Sequence, residues 1–333
     1  MVRRFISQFG HQEAIDQVFL ASQKQLRPNR NGNLYLQVEL SDRSGSISAR
    51  MWNVSEADYR GFDDGDYVRV EGNTQLYQGA IQLIATNICR ARADEVEQGD
   101  FMPLSSAEVD RLAVRLAEML RNLSDPHLAA LAESFLVDEQ FMAKLVKAPA
   151  GVKNHHAHQG GLLEHIVNLM EVVLRIGDCY PMLDLDLLIM GAFLHDMGKV
   201  DELTYERGFA YSDEGQLIGH LVMAVSTLEA KLAEAERLSG EPFPAETALR
   251  LKHMIVSHHG QYEFGSPKVP MTLEALALHH LDNLDAKLYA AWQQLNDDPN
   301  VESPWTNYDH ALGRKLFKGY GERRNSTDNA DES

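Results

Sequence analysis

The run Leu185–Leu194 is apolar nearly all the way round, broken only by Asp186 and Gly191, and it leads into His195-Asp196 with Lys199 three residues on. A helix with no polar face belongs in the middle of a bundle, not on its surface. The chain therefore carries a histidine and a carboxylate into a core. A buried ionised aspartate is costly unless something pairs with it, and a divalent cation is the cheapest partner. The competing reading is a buried His–Asp hydrogen bond with no metal.

Matching donors elsewhere favour the cation. His165 lies on a helix beginning at Gly161, His220 opens a long amphipathic helix, and His258 and His259 end another just before Gly260. In the segment His279–Lys287, Leu278, Leu281, Asp282, Asp285 and Leu288 share one helical face by i+3/i+4 spacing, so both aspartates are expected to point inward. Ligands drawn from well-separated helices are how a metal site is built inside a bundle. Imidazole and carboxylate without thiolate suit Mn, Fe, Co, Ni or Zn rather than a structural zinc, and Mg is a further candidate.

Two ions bridged by one carboxylate would suit phosphodiester hydrolysis, clamping the attacking and leaving oxygens. His165, His195, Asp196 and Asp282 are assigned to the first ion. Asp196 bridges to a second held by His220 and His258, with His259 as the alternative or assisting ligand. His279 and Asp285 are expected behind the ligands. Asp196 and Lys199 are the candidate catalytic residues, Lys199 meeting a phosphate oxygen; a lysine complementing the helix dipole is the other reading of Lys199. His155, His156 and His158 are placed at the entrance, facing substrate, and His11, His127, His253 and His310 are read as ordinary surface residues.

The first third of the chain has a different pattern. Strands are expected at Asp16–Leu26, Leu34–Leu40, Ser46–Trp52, Tyr67–Glu71 and Ala80–Asn87, with Gly72–Gly79 as a connection and a short helix within Val54–Gly61. Leu34, Leu36, Val38 and Leu40 alternate with Tyr35, Gln37 and Glu39. Ile47, Ala49 and Met51 face inward, Ser48, Arg50 and Trp52 outward. Five strands with a helix between the third and fourth match the OB-fold layout, whose second and third strands bind single strands. Tyr35, Arg50 and Trp52, flanked by Arg27, Arg30 and Tyr77, supply the stacking rings and cations that sequence-tolerant binding needs.

Charge supports this division. The net charge is −18, but residues 1–92 hold 11 Lys/Arg against 10 Asp/Glu while residues 93–333 hold 20 against 39. A polyanion is therefore met through local basic patches, chiefly in the first third. Only Cys89 and Cys179 occur, which argues against a disulfide framework. No apolar stretch approaches the ~20 residues that cross a bilayer, and the N-terminus lacks signal-peptide character. A cytoplasmic protein that contacts no membrane is expected. The expected architecture is an N-terminal all-β OB-fold barrel (1–95), a linker (96–104), an all-α helical bundle (105–320) and a disordered tail (321–333). Helices are expected at 126–147, 161–177, 185–196, 214–238, 245–258 and 272–295, after one opened by the Ser105/Glu108 capping box.

The spacing His165…His195-Asp196…Asp282 resembles the HD phosphohydrolase superfamily. The stretches HHAHQGGLLEH (155–165), FLHDMGK (193–199), EGQLIGH (214–220), SHHGQYEFGSP (257–267) and HHLDNLDAKL (279–288) resemble the YhaM-type 3′→5′ exoribonucleases, which also place an OB-type domain ahead of the HD domain. The resemblance implies manganese-dependent removal of nucleotides from the 3′ end of single-stranded RNA, sometimes DNA, often by a homo-oligomer. His158 stands where an aromatic or aliphatic residue is expected. The rival readings are an HD-type phosphohydrolase of small nucleotides (a cyclic or dinucleotide phosphodiesterase, or a dNTPase) and a non-catalytic nucleic-acid-binding protein.

Overall fold

In the computed structural model, the described residues are 3–29, 32–77, 80–101, 104–151, 158–204, 210–298, 303–309 and 312–320. The expected tail, Arg30, His155, His156 and His310 lie outside them.

Five strands close the N-terminal barrel: β1 (Ala14–Pro28), β2 (Leu34–Asp42), β3 (Gly45–Trp52), β4 (Tyr67–Tyr77) and β5 (Ala80–Arg90), in the order β1-β2-β3-β5-β4 with β4 returning to β1. All pairings are antiparallel except β3 with β5. The alternation read from the sequence sends Leu36, Val38 and Leu40 inward, where Phe19, Val68, Val70 and Leu83 of the other strands join them, all fully buried, and a helix α1 (Glu56–Arg60) precedes β4. Strand β4 continues six residues past the expected Glu71, so most of the supposed connection is hairpin. In its added stretch, Gly72–Tyr77, only Gly72 and Thr74 are buried, neither a large apolar residue, which hides it from a search for apolar alternation.

The acidic segment after β5 lies against the barrel as far as Phe101. Glu95 pairs with Arg69 (2.8 Å) and Asp100 with Arg3 (3.2 Å), and the Phe101 ring packs on Tyr67 at 4.7 Å. Asp100, within the expected linker, is thus satisfied by Arg3, and Glu95, just before it, by an arginine of β4.

The helical region runs α2 (Ser106–Arg121), α3 (Pro126–Leu136), α4 (Glu139–Leu145), α5 (Gly161–Ile176), α6 (Leu185–Leu194), α7 (Lys199–Glu202), β6 (Leu203–Thr204), β7 (Ala210–Tyr211), α8 (Asp213–Leu217), α9 (His220–Ser239), α10 (Ala245–Ser257) and α11 (Leu273–Asp297). Helix α2 is capped as expected, Ser105 accepting from the Glu108 N–H. The β6–β7 pair corrects the expectation of a wholly helical region. Two expected helices are each split in two. Asp138 ends the first by capping α4, accepting from the Phe141 N–H, while its carboxylate takes the Lys231 ammonium at 2.8 Å. Gly219, at φ +79°, ends the second ahead of His220.

Helix α6 is the centre of this region. Leu187–Leu194 are all buried, each large side chain contributing ~1.5–3 kcal/mol of transfer free energy, and the helix packs on α5, α10 and α11. Asp184 caps it, and Asp186, the one charge within it, accepts the Ser124 and Asp125 N–H groups. Among the described residues no helix is long and apolar enough to cross a membrane.

Candidate metal centre and nucleic-acid interface

His195 sits at the C-terminal end of α6 and Asp196 follows at once, so the most buried helix positions both. His165 comes from α5, His220 from the first residue of α9, His258 and His259 from the end of α10, and Asp282 and Asp285 from α11. The structure brings these side chains together. His165 Nε2 lies 3.2 Å from His195 Nε2 and 3.3 Å from Asp282 Oδ1. Asp196 turns a different oxygen to each side: Oδ2 is 3.4 Å from His195 Nε2, and Oδ1 is 3.5 Å from both His220 Nε2 and His258 Nε2. Three sets of donors, His165/His195/Asp282, His195/Asp196/His258 and His220/His258/His259, each have their ligand atoms within 4.8 Å of one another.

The backs of the rings are fastened. His195 Nδ1 donates to the Ala192 carbonyl and His258 Nδ1 to that of Ile255, both at 2.8 Å. His259 Nδ1 donates to the Phe264 carbonyl at 3.0 Å. His165 Nδ1 is 2.7 Å from Asp285 Oδ2, and His220 Nδ1 is 3.0 Å from Glu202 Oε1. A carbonyl can only accept, so the proton sits on Nδ1 and the Nε2 lone pair faces the cluster, the arrangement that orients imidazole toward a metal. Two atoms at the centre, Asp196 Oδ1 and His220 Nε2, are buried without a hydrogen-bond partner. Such orphans are expensive unless something completes them. The donor set therefore fits divalent cations.

Electrostatics agrees. Burial works against charge on His165, yet Asp282 and Asp285 outweigh it and push the ring up to about 10. The same negative potential would attract a metal ion in competition with that proton. Burial drives His258 down to about 4 and also lowers His259. Asp196 is held well below the usual carboxylate range, burial being overcome chiefly by Lys199 and His195. Asp282 is likewise held low, mainly by His165.

Lys199, expected at a phosphate or at the helix dipole, bonds Asp196 Oδ2 at 2.6 Å. His279 stands behind the cluster, donating from Nδ1 to the His258 carbonyl at 2.7 Å. Leu288, expected on the inward face of α11, is exposed because the core ends before the last turns of that helix. His158, expected at the entrance facing substrate, is buried, with Nε2 3.2 Å from Glu164. His253 and His127 are half-buried, not surface residues; His253 Nε2 accepts the Met271 N–H and His127 packs on Phe243.

Sequence reasoning missed Glu202. One oxygen of this buried carboxylate accepts both the backbone N–H (2.9 Å) and the ring Nδ1–H (3.0 Å) of His220. The contact depends on Gly198, where an added Cβ would lie 2.1 Å from the His220 carbonyl oxygen. An acid in the turn following a His-Asp pair was the available signal.

On the barrel, Trp52, Tyr35 and Arg27 are in register across β3, β2 and β1, and the two rings lie 5.0 Å apart. Arg50 sits over the Tyr77 ring at 5.5 Å, its buried Nε without a hydrogen-bond partner. Arg27 bonds Gln25 on its own strand.

A family model described as an OB-fold nucleic acid binding domain matches residues 21–88, and one described as an HD domain matches residues 162–287. The chain is 36% identical over 277 residues to a 3′-5′ exoribonuclease YhaM of Bacillus velezensis, covering 83% of this chain and 86% of that protein. The protein of the same name from Bacillus subtilis is 35% identical over the same shares, and one from a Geobacillus species is 36% identical over 78% of each chain.

Proposed function

The chain belongs to the YhaM-type 3′→5′ exoribonucleases, and on that premise we propose how its residues divide the work of a metal-dependent hydrolase acting on single-stranded RNA. The rival readings of the sequence, a small-nucleotide phosphohydrolase and a non-catalytic binding protein, find no support in these relatives. The observation that carries the proposal is the carboxylate of Asp196, set between two groups of imidazoles with a separate oxygen toward each.

His165, His195, Asp196 and Asp282 would hold one divalent ion, and Asp196, His220 and His258 would hold the other, with His259 near the second set. When bound, the ions supply Lewis-acid polarisation of the phosphodiester and activation of water; imidazole and carboxylate suit manganese among several metals. Asp285 and Glu202 fix the rings of His165 and His220. Lys199 remains cationic beside Asp196 because that pairing outweighs its burial, and it supplies a positive charge at the edge of the cluster for a phosphate oxygen. Tyr35 and Trp52 stack on bases while Arg50 contacts the backbone. The product is a nucleoside 5′-monophosphate.

Two further readings belong here. Free, exposed Cys89 and Cys179 suit a reducing cytoplasm. Exposed Leu284, Leu288 and Trp292 on α11 give a second copy of the chain an apolar face to cover, which a mass measurement in solution tests. The decisive experiment is a timed digest of 5′-labelled single-stranded RNA with Mn²⁺. The expected result is a ladder shortening from the 3′ end, absent with Asp196→Ala and slower with Trp52→Ala. Intact RNA with the wild-type protein would overturn the proposal.

A further inference from the structure

The loop after the cluster histidines carries Tyr262 and Phe264, which are 62% and 63% exposed. They sit on one 3-10 turn, Tyr262–Phe264, ending at Gly265. The backbone beneath these rings is well tied. The Gly265 N–H donates to the Tyr262 carbonyl (3.0 Å) and the Ser266 N–H to that of Gln261 (3.3 Å), while the Ser266 hydroxyl bridges to the Val256 and Lys268 carbonyls. The link to the cluster is direct, because the Phe264 carbonyl accepts the His259 Nδ1–H, and the His259 ring lies 4.4 Å from His258 and 5.2 Å from His220.

Charge gives the rings a purpose. Residues 93–333 hold 20 Lys/Arg against 39 Asp/Glu, and Lys199, beside the cluster, is engaged with Asp196. A polyanion is attracted at the cluster itself but repelled by the acidic surface around it, so the nucleotides beside the one being cleaved are held best by a force indifferent to charge. Stacking on bases is such a force.

We propose that Tyr262 and Phe264 form a stacking subsite for the unpaired bases at the 3′ end of the RNA strand. The inference rests on the exonuclease reading above. If the terminal phosphodiester lies at the cluster, the adjoining bases follow at about 3.4 Å per nucleotide along a stacked strand, within reach of a loop bonded to His259. Stacking is blind to base identity, which suits an enzyme that removes each nucleotide in turn. The two rings touch bases and not the reacting atoms, so they are positioning residues, and they grip the end of the strand while the barrel holds its body.

The test uses the full chain with Mn²⁺ and an RNA whose last base is 2-aminopurine, joined through a linkage with CH2 in place of the 3′ bridging oxygen so that it cannot be hydrolysed. Wild-type protein is expected to quench that fluorescence at saturation. The double variant Tyr262→Ala/Phe264→Ala should lose the quench, and its KM for a five-nucleotide RNA should rise about tenfold with kcat little changed. Phe264→Leu, which keeps apolar bulk without a ring, should show part of that loss, whereas Phe264→Trp should match the wild type. An RNA ending in an abasic nucleotide should remove the difference between wild-type protein and the double variant. Unchanged quenching and KM in the double variant would overturn the subsite while leaving the exonuclease reading intact. Loss of a dimer with unchanged RNA handling would overturn it in favour of a second copy on this face. Failure of the wild-type protein to shorten RNA from its 3′ end would overturn the premise itself.

Discussion

The barrel and the helical region handle polar chemistry in opposite ways. The barrel buries a mainly apolar interior and displays its candidate binding residues on the outside, Trp52 at 43% exposure against the half-buried Tyr35. The helical region hides its functional groups, His165, His195, Asp196 and His258 being buried. An exposed ring needs little support, and its loss costs one contact. A buried imidazole needs a fixed proton, a fixed rotamer and a partner behind it, so its loss disturbs every neighbour. Binding residues on the barrel should therefore behave as separable increments and cluster residues as a unit.

The largest expected effect tests the unit. Asp196→Asn should lower turnover on the order of 10³-fold or more and reduce the Mn²⁺ bound per chain, read by elemental analysis. A variant retaining full metal and substantial activity would break the contrast. Next comes Glu202→Ala, which frees the His220 ring. Calorimetric Mn²⁺ affinity should fall about 10–100-fold, with Glu202→Gln losing less because its amide oxygen still accepts a hydrogen bond. Trp52→Ala should weaken RNA binding by about tenfold and leave kcat and metal content unchanged.

The smallest effect concerns the Lys231–Asp138 pair, which ties α9 to the start of α4. Hydrogen bonds from Lys231 and from the Phe141 N–H hold Asp138 below its usual 3.8. A carboxylate lowered on folding contributes stability that is present above the usual value and is lost as pH falls through the folded one. The melting temperatures of wild type and Asp138→Asn should therefore converge as the pH is taken from 7 to below that value. The gap at neutral pH should be small, since the Asp138 side chain is a third exposed.

Where physics acts locally, the sequence was readable. Alternation placed Leu36, Val38 and Leu40 inside the barrel, and the apolar wrap of Leu185–Leu194 identified the central helix. Helical spacing placed Asp282 and Asp285 at the cluster. The strand end Asn73–Tyr77 escaped notice because its pairing is made by the backbone and its side chains are mostly polar. The break at Val137–Asp138 escaped because the capping aspartate is paid for by a lysine 93 residues away. Glu202 escaped for the same kind of reason: what it does depends on the close approach of Gly198 to His220, which periodicity does not reveal.

The attachment of His195 and Asp196 to α6 has a last consequence. The helix that organises the core also aims His195 and Asp196, so these two cannot swing away while the core stays whole. Heating should therefore remove activity and tertiary structure in one event. The useful temperature range should then end where the core melts.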